Sequence, residues 1–390
     1  MSKRSNSKKL AAFVPILMAA CLAFTACAGN PYPPDGSASG KGLGLPDPEH
    51  LRIVIVTSPS GVDDGGYNQD NYEGVLAFVD KNPGAAEQSI REPDLNRSMN
   101  AVNEVLADHD VVVTPGYQFS GVYSLAIKNP EKYFILVDTF PTDKDGEVRD
   151  DAPNVCAMQF AEEEGGFFAG IAAALETKSG KVAVVNGIAY PSNVNYQYGF
   201  MSGVKYAEKH YGVHAEIVEL PSYAGTDVTN RNIGGNYIGG FDDPATGKVV
   251  AEALLSKGVD IIFVAAGGSG SGVFTAVKEN GHAKVIGCDV DQWKEGENGS
   301  SNIVLTSSLK RMSVNVEKRI EAIRKGKFQG GNFTMGADTD SVGYVSEPGH
   351  HQLSADTLKN MEEAYDLVKD GSIVPASAGN RMTTDGFKGL

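Results

Sequence analysis

The amino-acid pattern predicts an α/β protein of parallel sheets flanked by helices, arranged as two similar lobes with a cleft between them. Short apolar, β-branched runs such as Leu51–Thr57, Tyr133–Asp138 and Ile261–Ala265 read as strands buried on both faces. Segments with helical apolar spacing alternate with them, and that alternation builds parallel sheets. The alternation resets near Gln159–Glu163, with about three strand–helix units before it and about four after. Later segments are expected to cross back between the lobes.

The elements follow in order. Leu51–Thr57 leads into a loop of Ser, Pro, Gly and Asp, and a helical stripe of Tyr72, Val75, Leu76 and Val79 begins after Asn68-Gln69. Further strands are predicted at Asp110–Thr114, Tyr133–Asp138, Val155–Phe160, Lys181–Asn186, Ala215–Leu220, Ile261–Ala265, Lys284–Cys288 and Ile303–Ser307. Ala215–Leu220 alternates polar and apolar residues and reads as an edge strand. Helices are predicted at Asn96–Asp108, Gly121–Asn129, Glu162–Leu175, Tyr198–Tyr211, Pro244–Lys257, Gly272–Gly281, Met312–Gly326 and Ser354–Lys369. In such sheets ligands bind beyond the carboxyl ends of the strands. The first loop therefore offers Asp63, Asp64, Tyr67 and Asn68 to a small molecule, or uses its Asp and Asn only to cap the helix.

The N-terminus gives the expected address. Lys3, Arg4, Lys8 and Lys9 precede an apolar run, Leu10 to Ala26, that ends in Phe24-Thr25-Ala26-Cys27. A basic head, an apolar centre and small residues before a cut site mark an export signal over residues 1–26. The final tetrapeptide resembles the bacterial lipobox, which would make Cys27 the lipidated first residue of the mature chain. Met18-Ala19-Ala20-Cys21 is a weaker second candidate. Residues 27–50, rich in Pro, Gly and Ser, read as a flexible tether. The expected location is the outer face of the cell membrane.

Composition excludes some classes. The 390 residues are 41% hydrophobic and 21% charged, as in a soluble globular protein, and the net charge of −15 argues against a nucleic-acid surface. No P-loop, GxSxG elbow or HExxH stands in the chain. Asp289 with Asp291, or Asp242 with Asp243, would make an acid–base pair, but no nucleophile accompanies either. The expectation is therefore a non-enzyme with no cofactor and no metal. Cys156 and Cys288 are compatible with two buried thiols or with one disulfide.

An ordered set of motifs adds to this. It begins with Gly61-Val62-Asp63-Asp64-Gly65-Gly66-Tyr67-Asn68-Gln69-Asp70-Asn71-Tyr72-Glu73-Gly74. Gly116-Tyr117-Gln118-Phe119, ILVD ending at Asp138, and Glu164-Gly165-Gly166-Phe167-Phe168-Ala169-Gly170 follow. Then come Gly240-Phe241-Asp242-Asp243-Pro244, Ala266 to Phe274, Gly287 to Gln292, and Thr306 to Arg311. In this order they resemble the basic membrane protein family of bacterial lipoproteins, purine-nucleoside receptors of ABC importers. The resemblance implies a type I periplasmic binding protein fold, a purine nucleoside ligand, a permease partner, a lipid-mediated membrane contact and a monomer. Tyr67 where Phe is usual, Gly65-Gly66 for the commoner Lys-Ser, and Cys288 for a usual Val are departures.

By that resemblance Asp64 and Asn68 would meet the base edge, and Tyr72 and Phe241 would stack on the base. Asp138, Asp289 and Lys310 would take the remaining polar groups, with Asp289 on ribose hydroxyls. Gly267 and Gly268 would permit close approach. Structural alternatives exist for several: Tyr72 as a core position, Phe241 as a hydrophobic staple, Asp138 and Asp289 as caps. Lys310 is expected at a helix start, a poor place for a cation without a specific partner. The lobes are expected to comprise 51–158 with about 303–340, and 159–302 with about 341–390. A sensor of the same fold for a sugar or autoinducer, and an extracytoplasmic nucleoside-processing enzyme, are the alternatives.

Overall fold

The computed structural model describes residues 47–390. The predicted export signal, Cys27 and most of the tether lie outside the described residues.

The first sheet contains β1 (Arg52–Thr57), β2 (Ala86–Arg91), β3 (Val111–Pro115), β4 (Tyr133–Val137) and β5 (Val155–Phe160). The second begins with β6 (Lys181–Asn186) and β7 (Glu216–Ile217), then a small hairpin of β8 (Gly225–Thr226) and β9 (Asn232–Gly234) intervenes. It continues with β10 (Ile261–Ala265) and β11 (Lys284–Gly287); a second hairpin of β12 (Glu297–Asn298) and β13 (Ser301–Asn302) precedes β14 (Val304–Lys310). β15 (Gly331–Met335) and β16 (Val342–Tyr344) complete the set.

The strand orders are β15-β5-β4-β3-β1-β2 and β16-β14-β11-β10-β6-β7, the same topology twice. All pairings within the two sheets are parallel except β14 with β16. Under this duplication β4 corresponds to β11. Their following aspartates, Asp138 and Asp289, therefore occupy equivalent places, and both have left-handed backbones (φ 65° and 70°). Asp is among the few residues that enter this region readily, through local hydrogen bonding of its short side chain.

Helices cover both faces of each sheet. α1 (Tyr67–Lys81) and α8 (Met312–Arg324) bury Val75, Phe78, Val316 and Ile320 against Ile53, Ile55 and Ile135. α2 (Ser98–Val105) and the short α3 (Tyr123–Ala126) cover the other face. On the second sheet α4 (Glu162–Glu176), α5 (Pro191–Tyr211) and α9 (Ala355–Lys369) pack one face. α6 (Pro244–Ser256) and α7 (Gly270–Asn280) pack the other. Each sheet is thus sandwiched, which is why its central strands are continuous apolar runs.

The chain passes between lobes at Ala161, at Arg311, and through residues 336–341. The sequence boundary near 303 is corrected by this: β14 belongs to the second sheet, and the crossing follows Lys310 rather than preceding it. Lys310 accordingly ends a strand instead of starting a helix. The predicted strand Ala215–Leu220 is reduced to the two edge residues of β7. β2, with sequence AEQSIR, carries no apolar run because it is a largely exposed edge strand held by its six-residue register with β1. α5 starts at Pro191, earlier than the predicted Tyr198, with the proline in its first turn.

Candidate functional site

The carboxyl ends of the strands from both lobes face one cavity, the place where open α/β sheets bind ligands. Asp64, Asn68, Asp138, Phe241, Gly267, Asp289 and Lys310 line it, together with Tyr67, Tyr117, Tyr190, Asn193 and Tyr196.

Lys310 is the hub. Its side chain is 2% exposed, and its ammonium stands 2.5 Å from Asp138, 3.6 Å from Glu162 and 3.5 Å from Asp289. Asp138 comes from the first lobe; the other three groups lie on the second or at its crossing. Rings of Tyr67, Tyr196 and Phe160 surround the ammonium at 4.9, 5.5 and 5.8 Å, a cation–π arrangement favoured by burial. Burial alone would depress the Lys310 pKa, but the charges of Asp138, Asp289 and Glu162 hold it above the ordinary value. Burial, reinforced by the Asp138 charge, raises the Glu162 pKa well above its ordinary value. Asn195 Nδ2 donates to its other oxygen, Oε2, at 3.2 Å. Three carboxyl groups thus surround a single ammonium. Such a site suits ligand donors such as hydroxyls and repels anions.

The first loop is organised differently from its predicted role. Asp64 Oδ1 accepts from the N–H groups of Gly66 and Gln69, at 3.0 and 3.1 Å. Its Oδ2 accepts from Asn68 N and Nδ2 at 3.0 and 2.9 Å. A carboxylate has about four acceptor sites, so Asp64, while lining the cavity, holds the first turn of α1 and positions Asn68. Asn68 Nδ2 also reaches Ser58 Oγ at 3.0 Å. Both amide hydrogens are thereby used, which fixes the flip and leaves Asn68 Oδ1 buried without a partner among the described residues.

Tyr72 is not at the cavity. Its hydroxyl donates to Glu87 on β2 at 2.7 Å. It follows Tyr67 by five positions, about 140° around the helix, so only one of the two can face the cleft. Tyr67 does. Gly268 lines a neighbouring pocket, beside the Phe241 carbonyl and Ser60. Gly267 lies against Phe241: with φ +52°, it would bring a Cβ within 3.4 Å of that ring.

Aromatic surface comes from both lobes. Tyr117 of the first lobe meets Tyr190 of the second with centroids 5.1 Å apart, and Tyr190 meets Phe241 at 6.1 Å. Ser60 Oγ donates to the Phe241 carbonyl at 2.9 Å, a second contact across the cleft. Asp289 Oδ1 accepts from Tyr196 OH at 3.1 Å and remains partly exposed to the cavity. Cys156 and Cys288 are free thiols, and Cys288 lines the cavity. Asp243, one of the acid–base candidates, caps α6 through Thr246, and Asp291 pairs with His350.

Sequence reasoning missed Glu162, Tyr117, Tyr190 and Tyr196 as lining or supporting residues. Tyr117 stood within a quoted motif directly after a strand, which was signal enough. Glu162 and Tyr196 are visible only once α4 and α5 are known to pack together.

The family model of PnrA-like ABC transporter substrate-binding proteins (Bmp) matches residues 52–222 and 223–377. The chain is 31% identical over 345 residues to the CD4+ T-cell-stimulating antigen of Listeria monocytogenes, covering 83% of this chain and 87% of that one. It is 29% identical over 300 residues to the ABC transporter nucleoside-binding protein BmpA of Lactococcus lactis, covering 72% and 77%. A solved solute-binding protein of an ABC transporter system from Aeropyrum pernix has the same fold, with TM-score 0.71 and 22% identity over 85% of this chain and 94% of that one. The motifs, the duplicated sheets and these matches agree: the chain belongs to the Bmp family of ABC transporter substrate-binding proteins.

Proposed function

We propose that the interlobe cavity captures a purine nucleoside for delivery to an ABC permease, without chemistry on the ligand. The observation that carries this reading is the Lys310–Asp138–Asp289–Glu162 group, three carboxyls around one ammonium, set beside aromatic side chains from both lobes. A nucleoside needs aromatic faces for its base, and stacking on a base contributes about 1–3 kcal/mol. Tyr67 and Phe241 supply those faces, Asn68 Oδ1 accepts a base N–H, and Asp289 accepts ribose hydroxyls. The excess of carboxyl groups over cations disfavours a phosphate and so favours nucleosides over nucleotides. The BmpA relative, described as nucleoside-binding, supports the same assignment. Closure of the lobes about the three crossings would present the loaded form to the permease. The reading includes a monomer tethered to the outer membrane face through a lipid on Cys27.

A thermal-shift screen of the soluble domain tests this with purine and pyrimidine nucleosides, free bases, ribose and common sugars. A ligand at a hundred times its Kd adds about 2.7 kcal/mol. Stabilisation by a purine nucleoside but not by its base or ribose alone is expected. Stabilisation by a sugar instead would retain the fold and replace the ligand.

A further inference from the structure

A second pocket, about 870 Å³ of open space, adjoins the cavity and shares Asp64, Tyr67, Gly267, Cys288 and Asp289 with it. We propose that it is a second ligand subsite, accepting a zwitterionic, amino-acid-like extension on the ribose end of a nucleoside; the proposal rests on the nucleoside reading above.

Its far walls differ from those of the first cavity. On the first lobe stand Gly65 and Gly66, where a Cβ would meet nothing within 4 Å. On the second lobe the first turns of α7 present Ser271 and Thr275, with Phe274 behind them and Lys278 beyond. Gln292 and Glu295, from the loop that carries Asp289, complete the lining. The charges of the first cavity are locked to one another, whereas Lys278 and Glu295 form no ion pair with any described residue.

The location selects the ligand end. The second pocket uses Cys288, Asp289 and Gln292 of a single loop, and Asp289 is the proposed acceptor for ribose hydroxyls. A substituent leaving the ribose at Asp289 therefore enters this pocket, which also borders the Tyr67 wall. The charge pattern selects the substituent. Lys278 can receive a carboxylate, and Glu295 an ammonium. A phosphate would meet Asp64, Asp289 and Glu295 against one lysine, so a doubly anionic extension is disfavoured.

Calorimetric titration of the soluble domain tests this. The parent is whichever of adenosine, inosine and guanosine binds most tightly; the probes are its 5′-deoxy-5′-(cystein-S-yl) derivative, a thioether with free α-ammonium and α-carboxylate groups, and its 5′-monophosphate. The derivative should bind within about tenfold of the parent or tighter, and the monophosphate more than about a hundredfold weaker. Thr275→Trp, filling the pocket from an exposed helix position, and Lys278→Glu should each weaken the derivative at least about tenfold and leave the parent unchanged. Failure of the derivative to bind where the parent binds would overturn the proposal, as would equal loss of parent and derivative in both variants. Failure of all three parents would overturn the nucleoside reading itself, and the subsite with it.

Discussion

The Lys310 ammonium, at the end of β14 in the second lobe, lies 2.5 Å from Asp138 Oδ2, which follows β4 in the first. Both side chains are almost fully buried, so this ion pair joins the lobes where water cannot screen it. Removing one member of such a pair leaves a buried charge uncompensated and costs about 3–5 kcal/mol. Lys310→Met is therefore expected to lower unfolding free energy by about that amount and to abolish ligand binding, with Asp138→Asn in the same chain recovering part of the stability but not the binding. Urea unfolding of the two variants checks this, and a fully stable Lys310→Met protein would contradict it.

The two tyrosines of α1 separate function from scaffold. Tyr67→Ala removes an aromatic wall and should weaken nucleoside binding by about 1–3 kcal/mol. Tyr72→Phe removes only the hydrogen bond to Glu87 and should leave affinity unchanged. Titration of both variants, with the reverse ranking, would return the stacking role to Tyr72.

Much of this architecture was legible in the sequence, and the limits of that legibility are physical. Central strands such as β3 and β10 are apolar because both faces are covered, whereas β2 and β15 are edges whose polar sequences resemble loops. Asp138 and Asp289 stood out as polar residues following strands, whereas Lys310 was expected to start a helix and instead ends β14. Tyr72 was given the stacking role by the family resemblance, with Tyr67 only a first-loop candidate; which of the two faces the cleft follows from where α1 begins. The role of Asp64 was unreadable for a related reason: its four donors come from backbone and side-chain groups that converge only in the folded loop.

α4 and α5 pack backbone to backbone. A Cβ on Gly170 would lie 2.2 Å from the Phe200 carbonyl oxygen, and one on Gly203 would lie 2.1 Å from that of Phe167. Overpacking of this kind costs typically about 1–3 kcal/mol. Gly203→Ala should lower the melting temperature and, by separating the helices that carry Glu162 and Tyr196, also weaken ligand binding. An unchanged melting temperature would show that the helices can part without cost.

Glu163 and Glu164 make stability depend on pH. Burial pushes Glu163 up to about 7 and Glu164 up to about 8, even though Glu164 Oε2 accepts the Ala337 N–H at 2.7 Å. The folded chain then holds protons that the unfolded chain has released, so stability falls as pH rises from about 4.5 to about 8. His350, raised by its bond to Asp291, acts in the same direction. The melting temperature should be higher at about pH 5.5 than at about pH 8, and Glu163→Gln with Glu164→Gln should flatten that slope. A melting temperature that rises across this interval in the wild-type protein would refute the assignment.

The central claim is that the cavity holds a nucleoside with its ribose on Asp289. Calorimetric titration of purine nucleosides into the wild-type soluble domain and its Asp289→Ala variant tests it most directly. The account predicts one-to-one binding by wild type, with no response to ribose or free base, and loss of binding in a variant that remains folded. Undiminished nucleoside affinity in Asp289→Ala, or wild-type binding of a sugar and no nucleoside, would contradict it.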